Sequence, residues 1–357
     1  MSRAASLLQK SFPLFTVKLL RRSISTTTKR IAAKAQKWEL KVQPFWFLNI
    51  LVERCNINVL PFDPVENPNA DRLTFNLNAK TDFNEDDFHL ECNEHEKLIK
   101  FSQKATDLNY VTNLIVKTPP GFNLDINSKG RSDVYVSALE CDVLTVKAKT
   151  GNITLNHIKG TQITAETGLG DIQSNKLLQG NLALQTEKGE ISLKQIQSCS
   201  AEISNRCGSL IVQDVYTDQL SANCDDGSIQ FKSLHGDCHV KADGSIDIGT
   251  AEGRLDAVST CGNIDVHIAE HQNVKLNCLK GDIALSVAPG LNATLQLKGN
   301  CVDVECDANN KEKDESQTFK GDLGHGGPII EANATKGNIT MKTSSWMNRI
   351  VKFRTKT

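Results

Sequence analysis

Apolar residues recur along this chain with two superposed periods. A step of 19 from Val134 reaches Ile153, Ile172, Ile191, Leu210 and Ile229. Shorter or equal steps then reach Ile246, Ile264, Ile283 and Val302, and the motif returns at Ile339 after an insertion. Two residues beyond each of these lie Val136, Leu155, Leu193, Val212, Phe231, Ile248, Val266 and Leu285, with Ser174 as the exception. Polar residues such as Thr154, Gln173, Ser192, Gln230, Asp247 and Asp265 stand between. Alternation at every second residue predicts strands with one buried face rather than helices.

The rest of each unit keeps the register. Five residues on come Leu139, Ile158, Leu177, Ile196, Val215, Leu234, Ala251 and Ala269. Ten and twelve on come pairs such as Leu144/Val146, Ile163/Ala165, Leu182/Leu184, Ala201/Ile203 and Val274/Leu276. A glycine turn precedes most units, as in Thr150-Gly151-Asn152, Lys188-Gly189-Glu190, Cys207-Gly208-Ser209 and Lys280-Gly281-Asp282. Glycine at one fixed place predicts a turn with positive φ, where a Cβ would clash.

Each unit therefore reads as strand, corner, strand, turn. Neither strand can bury its apolar face alone, so units must stack and lay aliphatic side chains in ladders about 4.8 Å apart. The predicted fold is all-β: a single-stranded, right-handed parallel β-solenoid (β-helix) of about 19-residue coils, preceded by a transit peptide. From 121 to 343 there is room for roughly 11 or 12 coils, a rod on the order of 55 Å long. Leucine-rich repeats need a different signature, and a propeller blade needs a longer period.

Residues 39–120 hold shorter alternating stretches, such as Leu73-Thr-Phe-Asn-Leu77, and are expected to form an N-terminal β segment and cap. Residues 307–327, rich in Asn, Lys, Asp, Glu and Gly, read as a loop insertion in the solenoid of 121–343. The acidic stretch from Asp82 to Glu96 reads as a solvated loop, and 344–357 as a basic C-terminal tail.

Charge changes the picture at one end only. The 357 residues carry a formal net charge of −1, which offers no overall basic field to recruit nucleic acid. Residues 1–38 are rich in Lys, Arg, Ser and Thr and free of acid, and Leu7, Leu8, Phe12, Phe15, Leu19 and Leu20 recur at helical spacing among the basic residues. This predicts a mitochondrial transit peptide over 1–24, a basic linker over 25–38, and a mitochondrial location, in the matrix. The apolar run from Phe45 to Val52 is too short to span a membrane. The 11 cysteines include no C-x-x-C pair and read as reduced thiols.

Candidate chemistry is sparse. His235 and His239, and His267 and His271, are spaced four apart, which on a helix would suit a shared metal. On extended chain four residues span roughly 13 Å, so these read as corner residues. Cys207 and Cys261 occupy the same place before a glycine in different coils, with Cys224 elsewhere, too far apart for a disulfide and without the close spacing of a cluster site. Asp225, Asp226, Asp243 and Asp247 would gather carboxylates along one face if they acted in pairs, but turn chemistry alone calls for Asp there. No catalytic, cofactor-binding or metal residue is assigned.

The runs Gly151-Asn-Ile-Thr-Leu-Asn-His-Ile-Lys-Gly160 and Gly281-Asp-Ile-Ala-Leu285 resemble the putative adhesin family, a β-solenoid domain of unknown function. The resemblance covers roughly residues 110–343, and the segment from Trp38 through Pro64 resembles animal members with a mitochondrial presequence. It implies a β-solenoid without established catalytic residues. The expected role is a non-enzymatic scaffold that binds an unknown protein partner, with no nucleic acid, no membrane span and no cofactor. The alternatives are a self-assembling structural protein whose rods stack end to end, and a metal, iron–sulfur or hydrolytic site on the solenoid face.

Overall fold

The computed structural model describes residues 35–79, 85–104, 111–314 and 317–344. The predicted transit peptide, most of the basic linker and all but Ser344 of the predicted tail lie outside them. Ahead of the repeat come β1 (Ala35–Lys41), β2 (Phe47–Val52), β3 (Cys55–Pro61), β4 (Arg72–Ala79), β5 (Phe88–Asn93), β6 (Leu98–Gln103), β7 (Thr112–Thr118) and β8 (Asn123–Arg131). The repeat itself is β9 (Val134–Thr150), β10 (Ile153–Leu169), β11 (Ile172–Lys188), β12 (Ile191–Cys207), β13 (Leu210–Asp226), β14 (Ile229–Ala242), β15 (Ile246–Ser259) and β16 (Ile264–Cys278). Beyond it lie β17 (Ile283–Val287), β18 (Ala293–Lys298), β19 (Val302–Glu305), β20 (Ala308–Asp314), β21 (Thr318–Leu323), β22 (Ile329–Ala334) and β23 (Ile339–Thr343).

The strands β9 to β16 pair in parallel, each with the next. Val134, Ile153, Ile172, Ile191, Leu210, Ile229, Ile246 and Ile264 stack in register, none more than 2% exposed. Each strand bends at a corner, so its second half forms another ladder: Leu144, Ile163, Leu182, Ala201, Leu220, Cys238, Leu255 and Val274, all buried. The apolar stripe of one half thus faces that of the other, and neither meets water.

Two positions depart from the sequence register. Leu178, not Leu177, stacks between Ile158 and Ile196, and Ile268, not Ala269, stacks on Ala251. Bulges before the corner add or remove a residue and restore the core alternation. Ser174, the polar exception, is buried and its hydroxyl donates to Lys176 O at 2.8 Å, which satisfies it.

The glycine turns do more than accommodate positive φ. A Cβ on Gly170 would sit 2.1 Å from Gly151 O, and one on Gly208 only 1.9 Å from Gly189 O. The turns lie directly on one another, and the carbonyl of each glycine fills the space where the next side chain would start. The residue after the glycine links coils too. Asn152 N donates to Asp133 Oδ1, Asp171 N to Asn152 Oδ1 and Glu190 N to Asp171 Oδ1, at 2.8 to 2.9 Å. The recurrent Asp, Asn or Ser there is therefore an inter-coil acceptor rather than a local turn cap.

Both ends of the stack depart from chain order. Parallel β2 lies between β6 and β8, and parallel β3 between β7 and β9. A coil made by residues 47–61 is thus wedged between a coil made by 98–118 and the first repeats. At the other end β22 lies between β16 and β18, and β23 between β17 and β19. Eight full-length repeat strands end at β16, and β17 begins a ninth coil by stacking in parallel on the first half of β16; strands that return into the stack follow, where the sequence leaves room for roughly 11 or 12 coils over 121–343. The segment 307–327 is mostly the hairpin β20–β21, antiparallel to itself and to β18, rather than an extruded loop. Antiparallel strands also close the first end, where β4 pairs with β7 and β1, and β5 with β6. Rings fill this end: Phe75 stacks on Phe101 at 5.3 Å, and Trp38 meets Phe101 edge-on at 5.7 Å.

Candidate functional site

A third ladder runs inside the turns. Thr167 Oγ1 donates to Gly151 O at 2.9 Å, Thr186 Oγ1 to Gly170 O at 2.9 Å, and Asn205 Nδ2 to Gly189 O at 3.0 Å. In the coils that follow, Cys224 Sγ donates to Gly208 O and Cys278 Sγ to Gly262 O, both at 3.1 Å. Cys224 therefore stands where other coils carry Thr, Asn or Ser, and its thiol satisfies a buried carbonyl. Burial, then Asp225 and Asp226, push its pKa up to about 11. Burial also raises Cys55, Cys141 and Cys238 to about 12. Such thiols stay protonated and make poor nucleophiles or metal ligands.

The remaining sequence candidates do not converge on a metal or a carboxylate pair. All eleven cysteines are free thiols. Cys207 donates to Asp226 Oδ2 at 3.7 Å, while Cys261 is exposed in a later turn. Asp225 accepts from Asn223 Nδ2 at 2.8 Å at the end of β13, and Asp247 lies on the outer face of β15 beside Asp265. His267 is fully buried with Nδ1 at 3.1 Å from Ser286 Oγ, whereas His271 is half-exposed and bonds Pro328 O at 3.2 Å. Burial lowers the pKa of His271. Among the described residues no group of three His, Cys, Asp or Glu could hold a metal ion.

His235 and His239 fall on opposite sides of the corner at Gly236, and each faces a carboxylate of the next coil. His235 Nδ1 lies 2.9 Å from Glu252 Oε2, and His239 Nδ1 lies 3.4 Å from Asp256 Oδ2. The partners are 17 residues downstream because this coil is two residues shorter than its predecessors. On the other side of His235 the Tyr216 ring stacks at 4.5 Å with an interplanar angle of 10°. Ser233 Oγ is 2.7 Å from His235 Nε2. Tyr216 is 46% exposed, so the corner presents an aromatic face whose orientation is fixed from beneath. Beyond Gly236, Arg254 pairs with Asp237 at 3.6 Å. These residues, with His239, Asp256, Lys275 and Ile329, border a shallow groove of about 470 Å³. Tyr216, Ser233 and Glu252 were not singled out in the sequence. The signal was their register with His235, which appears only when the short coil is aligned turn to turn.

No helix among the described residues is long and apolar enough to cross a membrane. The fold resembles several solved bacterial structures at low identity. A putative adhesin from Bacteroides fragilis shares 13% identity, with 71% of this chain and 97% of that one covered, at a TM-score of 0.32. A putative adhesin from Parabacteroides distasonis shares 11% identity over 87% and 97% of the two chains, at a TM-score of 0.34. A putative cell adhesion protein from Clostridium sporogenes shares 10% over 87% and 100%, at 0.20.

The expected mitochondrial matrix location is withdrawn: the comparisons give it no support, the solved structures that they find being described as bacterial putative adhesins and cell adhesion proteins. That expectation rested on the composition of residues 1–38, which lie almost wholly outside the described residues; a basic, acid-free stretch is not by itself an address. The toastrack DUF4097 pattern matches residues 76–342, from within β4 to the end of the last strands. By that match over most of its length, the chain belongs to the toastrack DUF4097 family.

Proposed function

We propose that this non-enzymatic β-solenoid domain is a protein-binding scaffold, and that it binds through the corner around Tyr216. The observation that carries this reading is the exposed Tyr216 ring, stacked on His235, which Glu252 and Ser233 hold in turn. An aromatic side chain fixed before binding loses little entropy on association, and such residues dominate interface energetics. The polar residues Asp237, His239, Arg254 and Asp256 around the next face would form the rim. The coils are taken to wind right-handed, as parallel crossovers do.

The ends argue against the alternative of rods stacked end to end. β1 pairs only with β4 among the described strands, and its outer edge carries Lys37, Glu39 and Lys41. Among the described strands β20 pairs only with β21; it carries Lys311 and Glu312 and is broken by an irregularity between Asn309 and Glu312. Charge and bulges on edge strands oppose pairing with another sheet. The test is crosslinking and affinity purification of the full chain against Tyr216→Ala. A stoichiometric partner held by the wild type and lost from the variant supports the scaffold. Recovery of the chain alone, with concentration-dependent association in gel filtration, overturns it in favour of self-assembly.

A further inference from the structure

We infer that Ser233 is an activated hydroxyl that accepts an acyl group from activated acyl donors, making it a covalent modification site on the outer face of the solenoid. In a neutral imidazole one ring nitrogen donates and the other accepts. The Glu252 carboxylate is the acceptor, which selects the tautomer with the proton on Nδ1, 2.9 Å from Glu252 Oε2. Nε2 is then the bare nitrogen, and at 2.7 Å it accepts the Ser233 hydroxyl proton. Hydroxyl, base and orienting carboxylate thus stand in the order that activates a serine, and this order is recognised by geometry rather than by fold. Tyr216, stacked at 4.5 Å, fixes the ring plane from the preceding coil. Ser233 lies on β14 between Asp214 and Thr250 of the neighbouring coils and is partly exposed, so a donor can approach from solvent.

The step balances without a further reactant. Ser233 Oγ attacks the carbonyl carbon of a thioester while its proton passes to His235 Nε2. The tetrahedral adduct collapses with loss of the C–S bond. The departing sulfur takes the proton back from the imidazolium, leaving a serine ester and a free thiol. Glu252 acts as a positioning residue, since it touches the imidazole and not the acyl donor.

The experiment incubates the folded full chain with a small acetyl thioester, and separately with a fluorophosphonate probe, and maps adducts by peptide mass spectrometry. Labelling should concentrate on Ser233 over Ser192, which lies on the same outer face without a histidine partner. His235→Gln should slow it by on the order of 10²-fold, as expected for loss of a general base. Glu252→Asp should retain more of the rate than Glu252→Ala, a graded response that a purely structural role would not give. Circular dichroism of each variant establishes that it is folded. Equal labelling of Ser192 and Ser233, or a rate at Ser233 unchanged in folded His235→Gln, overturns the inference. Because the readout is an adduct and not a captured protein, its outcome is separate from that of the scaffold reading.

Discussion

Gly208→Ala tests whether the turn glycines are set by coil-on-coil contact. A Cβ at Gly208 would lie 1.9 Å from Gly189 O, 2.8 Å from Gly189 C and 3.3 Å from Asn205 Nδ2. The first two are backbone atoms and cannot swing aside, so an ordinary contact requires the coils to part by more than 1 Å, a rough figure from van der Waals separation. Parting them weakens the bond from Gly189 N to Cys207 O and the bond from Asn205 Nδ2 to Gly189 O, both 3.0 Å. The φ of +135° adds backbone strain of about 1–3 kcal/mol. Two weakened hydrogen bonds add about 1–3 kcal/mol, for a total of about 2–6 kcal/mol. Gly290 is the control: its φ is +80° and an added Cβ would meet nothing within 4 Å, so alanine there costs only about 1–2 kcal/mol. Urea unfolding followed by circular dichroism compares the two midpoints. If Gly208→Ala costs no more than Gly290→Ala, contact between turns is not what selects glycine.

Four further outcomes follow from the ladders and the sheet edge. Thr186→Val, which keeps the shape and removes the donor to Gly170 O, should cost about 1–3 kcal/mol in urea unfolding, while Cys224→Ser should be tolerated because a hydroxyl can serve the same carbonyl. Burial pushes the Cys238 thiol up from its ordinary 9.0 to about 12, so its contribution to stability is intact below pH 9 and is lost as pH rises from 9 toward 12. Cys238→Ala should lessen that alkaline decline by its own share, with Cys55, Cys141 and Cys224 supplying the rest, and an unchanged pH profile would refute the assignment. Replacing Lys311 and Glu312 by Ile and Val should uncover the β20 edge and produce concentration-dependent association in gel filtration; a monomer at every concentration would show that charge is not what guards that edge.

The core was legible because stacking imposes the same demand on every coil. An aliphatic residue at Ile153, Ile172 and Ile191, and a glycine before each, repeat often enough that single exceptions do not hide them. Local bulges were not legible, since Leu177 and Leu178 are chemically alike and only pairing with Ile158 and Ile196 tells them apart. The corner site was half-legible. His235 and His239 drew notice as a spaced pair, but their partners Glu252 and Asp256 belong to the next coil.

By itself the sequence determined the parallel stack, because a period-two alternation inside a 19-residue repeat leaves each strand an apolar face that only its neighbouring units can cover. The tertiary structure alone decided the order at the ends. Once the repeat stops, an open coil edge must be paired, and β2–β3 and β22–β23 meet that need from distant points in the chain. Periodicity records how a residue relates to its own coil; which strand returns to cover the last one depends on contacts between segments that share no repeat.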